Sequence, residues 1–221
     1  VGIMVSAVAS LMAQLAPEAA EFYLLNMTSA DSPWTELPEV FAESFPHSVK
    51  ALARRKVPIA IAEIAGIVDN RLKDETPRGP SIFVVGFGLH RVRELQQDES
   101  GSWGKQDKAP TPASHLARIL KDGPEVGVHL LGWWDSYSSL TRAVDRKSLR
   151  EFGMRVALGM SGEDSSHLLD VPLAAKLGPH RALFWDEDQV GQLEKFIPCA
   201  PPSETLVSRM GAQLRSKAGA P

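Results

Sequence analysis

One cysteine, Cys199, stands in 221 residues, so no disulfide can close within the chain and no cysteine cluster exists from which to build a zinc site. Independence from disulfides predicts a cytoplasmic setting. No apolar run approaches the roughly 20 residues a membrane-spanning helix needs, and the reading is of no membrane contact from this segment. The opening VGIMVSAVASLMAQL has neither a basic leader nor a small-residue cleavage site and reads as a helix cut from something longer. An excess of charge of one sign is also missing. Lys and Arg number 24 against 27 Asp and Glu, a net charge of −3, so no global field draws the chain towards nucleic acid.

What is present is an ordinary globular composition, 43% hydrophobic and 23% charged. A chain of this length supports one domain with a real core, since it buries roughly three quarters of its unfolded surface. Ile3, Val5, Val8, Leu11, Met12 and Leu15 recur at helical spacing up to Pro17. FYLLNM from Phe22 and SIFVVGF from Ser81 are short continuous apolar runs, which suits strands buried on both faces of a parallel sheet. Between them, Thr28 to Pro46 reads as loop, and the stretch from Val49 reads as two helices or one broken at Pro58. Arg54, Arg55 and Lys56 in that stretch read as a solvated face.

Further along, LHRVRELQQ predicts a helix, residues 98–113 a mobile polar loop, and Ser114 to Gly123 a helix with a Ser cap and a Gly stop. GVHLLGWW from Gly127 predicts another buried strand, LTRAVDRKSLREF a helix, RVALGM from Arg155 a strand, and DSSHLLDVPLAAKL a helix capped by Asp164. RALFWDE from Arg181 closes the series, EKFIPCAPPS runs off along the surface, and a short helix follows Ser203. Repeated alternation of helix and strand predicts an α/β fold with a parallel or mixed sheet between helices.

Several blocks in this order resemble the FtsK/SpoIIIE/HerA family of ring-forming motors: FYLLN at Phe22, Pro46-His47, SIFVVGF at Ser81, GVHLLGWWD at Gly127, RVALGMSGEDS at Arg155, AAKLG at Ala174 and RALFW at Arg181. The resemblance implies a RecA-like P-loop NTPase fold with a mostly parallel central sheet, spanning residues 1–198, with 199–221 as a C-terminal tail. It also implies ATP and magnesium as cofactors, a hexameric or other homo-oligomeric ring or further domains of a longer chain, and double-stranded DNA as a partner. The related secretion ATPases handle proteins instead.

The hydrolytic residues of that family are not found where the resemblance places them. No Gly-x-x-x-x-Gly-Lys-Ser/Thr occurs in the chain, and its place would be just before Val1. The Walker B strand, which should end in two acids that hold magnesium and activate water, ends in Gly86 and Phe87. At the sensor position Asp135 replaces a Gln amide, and a carboxylate repels phosphate. At the arginine-finger position stands Pro124, with Lys121 nearby but lacking the planar fork. The expectation is a catalytically impaired module that acts in ring assembly or in nucleotide or DNA contact. Two alternatives stand beside it. One is an active DNA translocase with its phosphate loop upstream and a carboxylate from Asp135 or Glu94, and the other is a protein-handling secretion ATPase relative.

Other residues invite a function against a plainer reading. His90, Arg91 and Arg93 follow the Walker B strand and are candidates for DNA or subunit contact, or simply surface. Arg142, Arg146 and Arg150, at spacing four on one expected helix face, are the second such candidate, or a solvated face paired with Asp145 and Glu151. His129 reads as structural, and Trp133 and Trp134 as facing opposite sides of a strand. Asp164, Ser165 and His167 hold the residue types of a hydrolytic triad but sit within four positions, where a scaffold role fits better.

Overall fold

A computed structural model of the chain describes residues 1–32, 34–73, 79–97, 109–189 and 192–218. Most of the expected mobile loop, 98–108, lies outside the described residues.

Four apolar segments form one parallel sheet: β1 (Ala20–Asn26), β2 (Ser48–Ala53), β3 (Ser81–Phe87) and β4 (Val128–Trp133), in the spatial order β2-β1-β3-β4. Register is set by apolar partners such as Leu24 opposite Val85 and Val85 opposite Leu131. Parallel neighbours need crossovers, and helices supply them on both faces. On one face α1 (Gly2–Gln14) and α2 (Leu37–Ser44) pack Val5, Val8, Met12 and Phe41 against Phe22, Leu24, Val85 and Phe87. On the other, α3 (Val57–Lys73) and α4 (Pro112–Asp122) pack Ile61, Ile64, Leu116 and Ile119 against Tyr23, Leu25, Ile82 and Val84. The fold is therefore α/β with a parallel four-stranded sheet flanked by helices, as expected.

Beyond β4 the chain makes α5 (Tyr137–Ala143) and α6 (Arg146–Arg150), then β5 (Met154–Ala157), α7 (Gly162–Leu169), β6 (Ala182–Asp186) and β7 (Leu193–Phe196). The last three strands form a separate antiparallel sheet, order β5-β6-β7. Arg155 fastens this part together. Its guanidinium donates to the carbonyls of Phe152, Leu168 and Leu149 and lies 4.3 Å from the Trp185 ring centroid. Finally α8 (Glu204–Ala218) returns to α2, burying Val207 and bringing Gly211 against the backbone of Ser44, where a Cβ would have no room.

Several elements differ from the sequence expectation. A helix, α2, lies inside the stretch read as loop, because Pro38 falls in its first turn, where a missing N–H costs nothing. Residues 48–53 form the edge strand β2 instead of a helix, and α3 starts only at Val57, so Pro58 begins that helix where it was expected to break one. LHRVRELQQ makes two single 3-10 turns, Leu89–Arg91 and Arg93–Leu95, after Gly88 takes φ +84°. Asp145 caps α6 by accepting from the Ser148 amide, and this splits the helix expected from Leu140 to Phe152. The caps of α4 and α7 are Thr111 and Ser161 rather than Ser114 and Asp164. EKF, expected to leave the sheet, pairs within it as β7. Pro46-His47 ties the entry to β2 to the end of α1 and to β1, since His47 Nε2 bonds the Leu15 carbonyl at 3.0 Å and its ring meets Phe22 edge-on.

Candidate functional site

In open parallel α/β sheets ligands bind beyond the carboxyl ends of the strands, and here that edge carries the residues after β1, β2, β3 and β4. The sequence brings an unusual set to it. β3 ends in Gly86 and Phe87, and Phe87 is turned into the first core at 3% exposure. A Cβ on Gly86 would lie 2.5 to 2.8 Å from three atoms of Leu89. Leu89 is itself fully buried, so the space beside the strand end is filled by a leucine folded back over a glycine. One strand over, the Trp134 ring lies against Gly132 in the same way, and Leu89 reaches Gly132 too. Two glycines and two large apolar side chains thus close the ends of β3 and β4.

Above this plug sits a polar cluster that sequence reasoning did not assemble. Asp135 Oδ1 accepts from Ser139 Oγ at 2.5 Å and from Ser136 Oγ at 3.2 Å, and the two serines form the capping box of α5. His90 Nε2 stands 3.5 Å from Asp135 Oδ2, while the His90 ring meets Trp133 edge-on at 5.7 Å. The Ser139 hydrogen bond chiefly holds the Asp135 carboxyl below its ordinary value, and the His90 imidazole adds to this. Desolvation pushes His90 down, against the pull of Asp135. The pair is therefore a neutral imidazole beside a carboxylate near neutral pH. Its exposure is uneven, 11% for the His90 side chain and 55% for Asp135.

The remaining candidates disperse. Arg91 Nη1 donates to the Met27 carbonyl and ties the turn after β3 to the end of β1, while Arg93 and Glu94 are exposed in the next turn. Arg142 belongs to α5 and Arg146 and Arg150 to α6, so the three do not share one helix face as the spacing had suggested. Pro124 opens the 3-10 turn before β4, and Lys121 lies in the last turn of α4. Both are therefore at the amino end of β4, about 20 Å along the strand from Asp135. His129 stacks on Phe83 at 5.3 Å, a structural contact. Ser165 is fully buried, donates to the Val171 carbonyl and accepts from the Ala174 amide, whereas His167 leans on Tyr137; no triad forms.

Chemically, the end of β3 offers no oxygen donor from a side chain. Among the described residues no group of three or more His, Cys, Asp or Glu could hold a metal ion. The carboxylate that follows β4, Asp135, already has two serine donors and a histidine as partners. These residues do not fit the magnesium ion that the sequence resemblance implies.

No family model and no curated protein matches the sequence. Among solved structures the chain is similar to the cytoplasmic domain of the Thermomonospora curvata type VII secretion ATPase EccC, with 18% identity and a TM-score of 0.65 over 98% of this chain and 26% of that one. It is also similar to EssC (ATPases 2 and 3) from Geobacillus thermodenitrificans, with 14% identity and a TM-score of 0.61 over 97% of this chain and 41% of that one. The chain thus has the fold of these ATPase domains and spans well under half the length of the proteins it matches.

Proposed function

We propose that this chain is a motor-type ATPase module that does not hydrolyse ATP and serves as an architectural unit of a larger cytoplasmic assembly. The observation that carries the reading is Leu89 packed over Gly86. Where a motor of this fold needs carboxylates beside the end of the strand, this chain has a glycine, a buried phenylalanine and a leucine that fills the space. Asp135 completes the picture, since its charge faces the same edge and repels phosphate. The module then contributes surfaces to a homo-oligomeric ring or to further domains of a longer chain. Arg91, Arg93, Arg142, Arg146 and Arg150 are the cations through which it contacts a neighbouring subunit, a nucleotide or double-stranded DNA.

The cargo of the assembly is the second issue, and the similarity to a type VII secretion ATPase favours protein over DNA. Fluorescence anisotropy of the complete protein with a labelled duplex and with a labelled helical export peptide separates the two. Impairment itself is tested by MgATP turnover. A rate unchanged by Asp135→Ala and Glu94→Ala supports the reading, and a rate lost in either variant favours an active translocase whose phosphate loop lies upstream.

A further inference from the structure

Among the described residues three buried side-chain polar atoms have no hydrogen-bond partner: His90 Nδ1, Trp134 Nε1 and His47 Nδ1. Buried polar atoms are nearly always paired, so each exception needs a cause. The first two stand at the carboxyl edge of the parallel sheet, beside Asp135 and Gly132. His47 stands at the opposite end, one residue before β2. Its ring is 6% exposed, with Nε2 at 3.0 Å from the Leu15 carbonyl and Phe22 edge-on against it. A carbonyl oxygen can only accept, so the ring proton lies on Nε2, and in the neutral imidazole Nδ1 presents a bare lone pair.

The same ring forms part of the wall of a cavity of about 220 Å³. The rest of that wall explains why the lone pair has no partner. Met12, Leu15 and Leu214 contribute apolar side chains, and Pro17 and Pro46 contribute rings and have no amide N–H to give. Among the lining side chains the one other polar group is the Lys217 ammonium, in the last turn of α8 and exposed to solvent. The cavity thus combines an apolar wall, one buried acceptor and one cation on its solvent side. Its volume lies below the roughly 300–1,000 Å³ of sites for drug-sized ligands, and suits a single ring with a short substituent. A water held at Nδ1 would face apolar groups on its other sides, whereas an apolar ring gains by covering them.

We propose that this cavity binds a small aromatic anion that carries one O–H or N–H donor. The donor bonds His47 Nδ1, the ring lies against Met12, Leu15 and Leu214, and the anionic group meets Lys217. A rigid ring holds donor and anion at its two ends at little cost in ordering. The site lies at the amino end of the sheet, away from the carboxyl strand ends, so the inference does not depend on whether ATP is bound or hydrolysed.

The probe is para-hydroxyphenylacetate, with para-methoxyphenylacetate lacking the donor and para-cresol lacking the charge. In the protein with isotope-labelled histidine, nitrogen NMR should show the His47 Nδ1 resonance moving upfield as para-hydroxyphenylacetate is added, the direction expected when a lone pair accepts a hydrogen bond. Binding should weaken about tenfold for the methoxy compound and about threefold for para-cresol, and Lys217→Met should remove the second difference while leaving the first. The three probes on the natural protein carry the test, because replacing His47 would also break the bond to Leu15. An Nδ1 resonance already upfield in the free protein and unmoved by the probe would show a resident water and overturn the proposal. Equal binding of the hydroxy and methoxy compounds, or no binding of any probe up to about 10 mM, would overturn it as well.

Discussion

Replacing Gly86 by alanine probes the plug at the end of β3 directly. The new Cβ would stand 2.5, 2.7 and 2.8 Å from Cγ, Cδ2 and Cδ1 of Leu89, where carbon atoms pack at about 3.5 to 4.0 Å. Leu89 has no exposed surface, so relieving the overlap means repacking Leu89 within the core, moving the backbone, or shifting the neighbouring Trp134 ring. Overpacking of this kind costs about 1–3 kcal/mol. Leu89→Ala alone, which leaves a cavity, should cost about 2–5 kcal/mol. In the double variant the alanine methyl enters the space that leucine vacated, and the Gly86→Ala step should then cost close to nothing. The cycle therefore predicts a coupling of about 1–3 kcal/mol, well above the roughly 0.5 kcal/mol expected for independent sites. Urea unfolding of the four proteins, followed by tryptophan fluorescence, supplies the values. Additive single-variant effects would refute the reasoning, because Leu89 would then not occupy the space over Gly86.

Arg155→Ala should lower stability by about 2–3 kcal/mol, and Arg155→Lys should recover only part of it, since three carbonyls and the Trp185 face are matched to a planar fork; denaturant midpoints check both. Gly211→Val should undock α8 from α2, which limited proteolysis would reveal as early loss of the C-terminal residues. The His90 pKa is depressed in the fold, so the unfolded chain binds the proton first. Stability tied to this group should decline as pH drops below about 6.5, and a His90→Gln variant should show a flatter pH dependence. Ser139→Ala should raise the Asp135 pKa towards its ordinary value, read by carboxyl carbon NMR, because the hydroxyl bond is the main cause of the depression.

The strands most easily read from the sequence were those buried on both faces. FYLLN and SIFVVGF are continuous apolar runs buried in the middle of the sheet, as such runs require, whereas the equally apolar VHLLGW, expected to be buried, is the largely half-buried edge strand β4. β2 was misread because SVKALA is an edge strand with a mixed pattern and sits beside a strong helix former; pairing with β1 decides it, and that is a tertiary fact. The break between α5 and α6 was legible in principle, as Asp145 followed by Ser148 is a capping arrangement, but the run of helix formers on either side masked it. Of the site, Gly86, Phe87 and Asp135 could be placed in order from the resemblance alone. The packing of Leu89 over Gly86 could not be foreseen, because it depends on Gly88 at positive φ turning the chain back. The His90 to Asp135 contact joins residues 45 positions apart and needs β3 and β4 to be neighbours.

The most direct test is MgATP binding and turnover by the complete protein, with Asp135→Ala and Glu94→Ala beside the natural sequence. Turnover that neither variant changes is what the account predicts, since no carboxylate of this module takes part. Turnover abolished by either substitution would contradict it and make this chain a working motor domain.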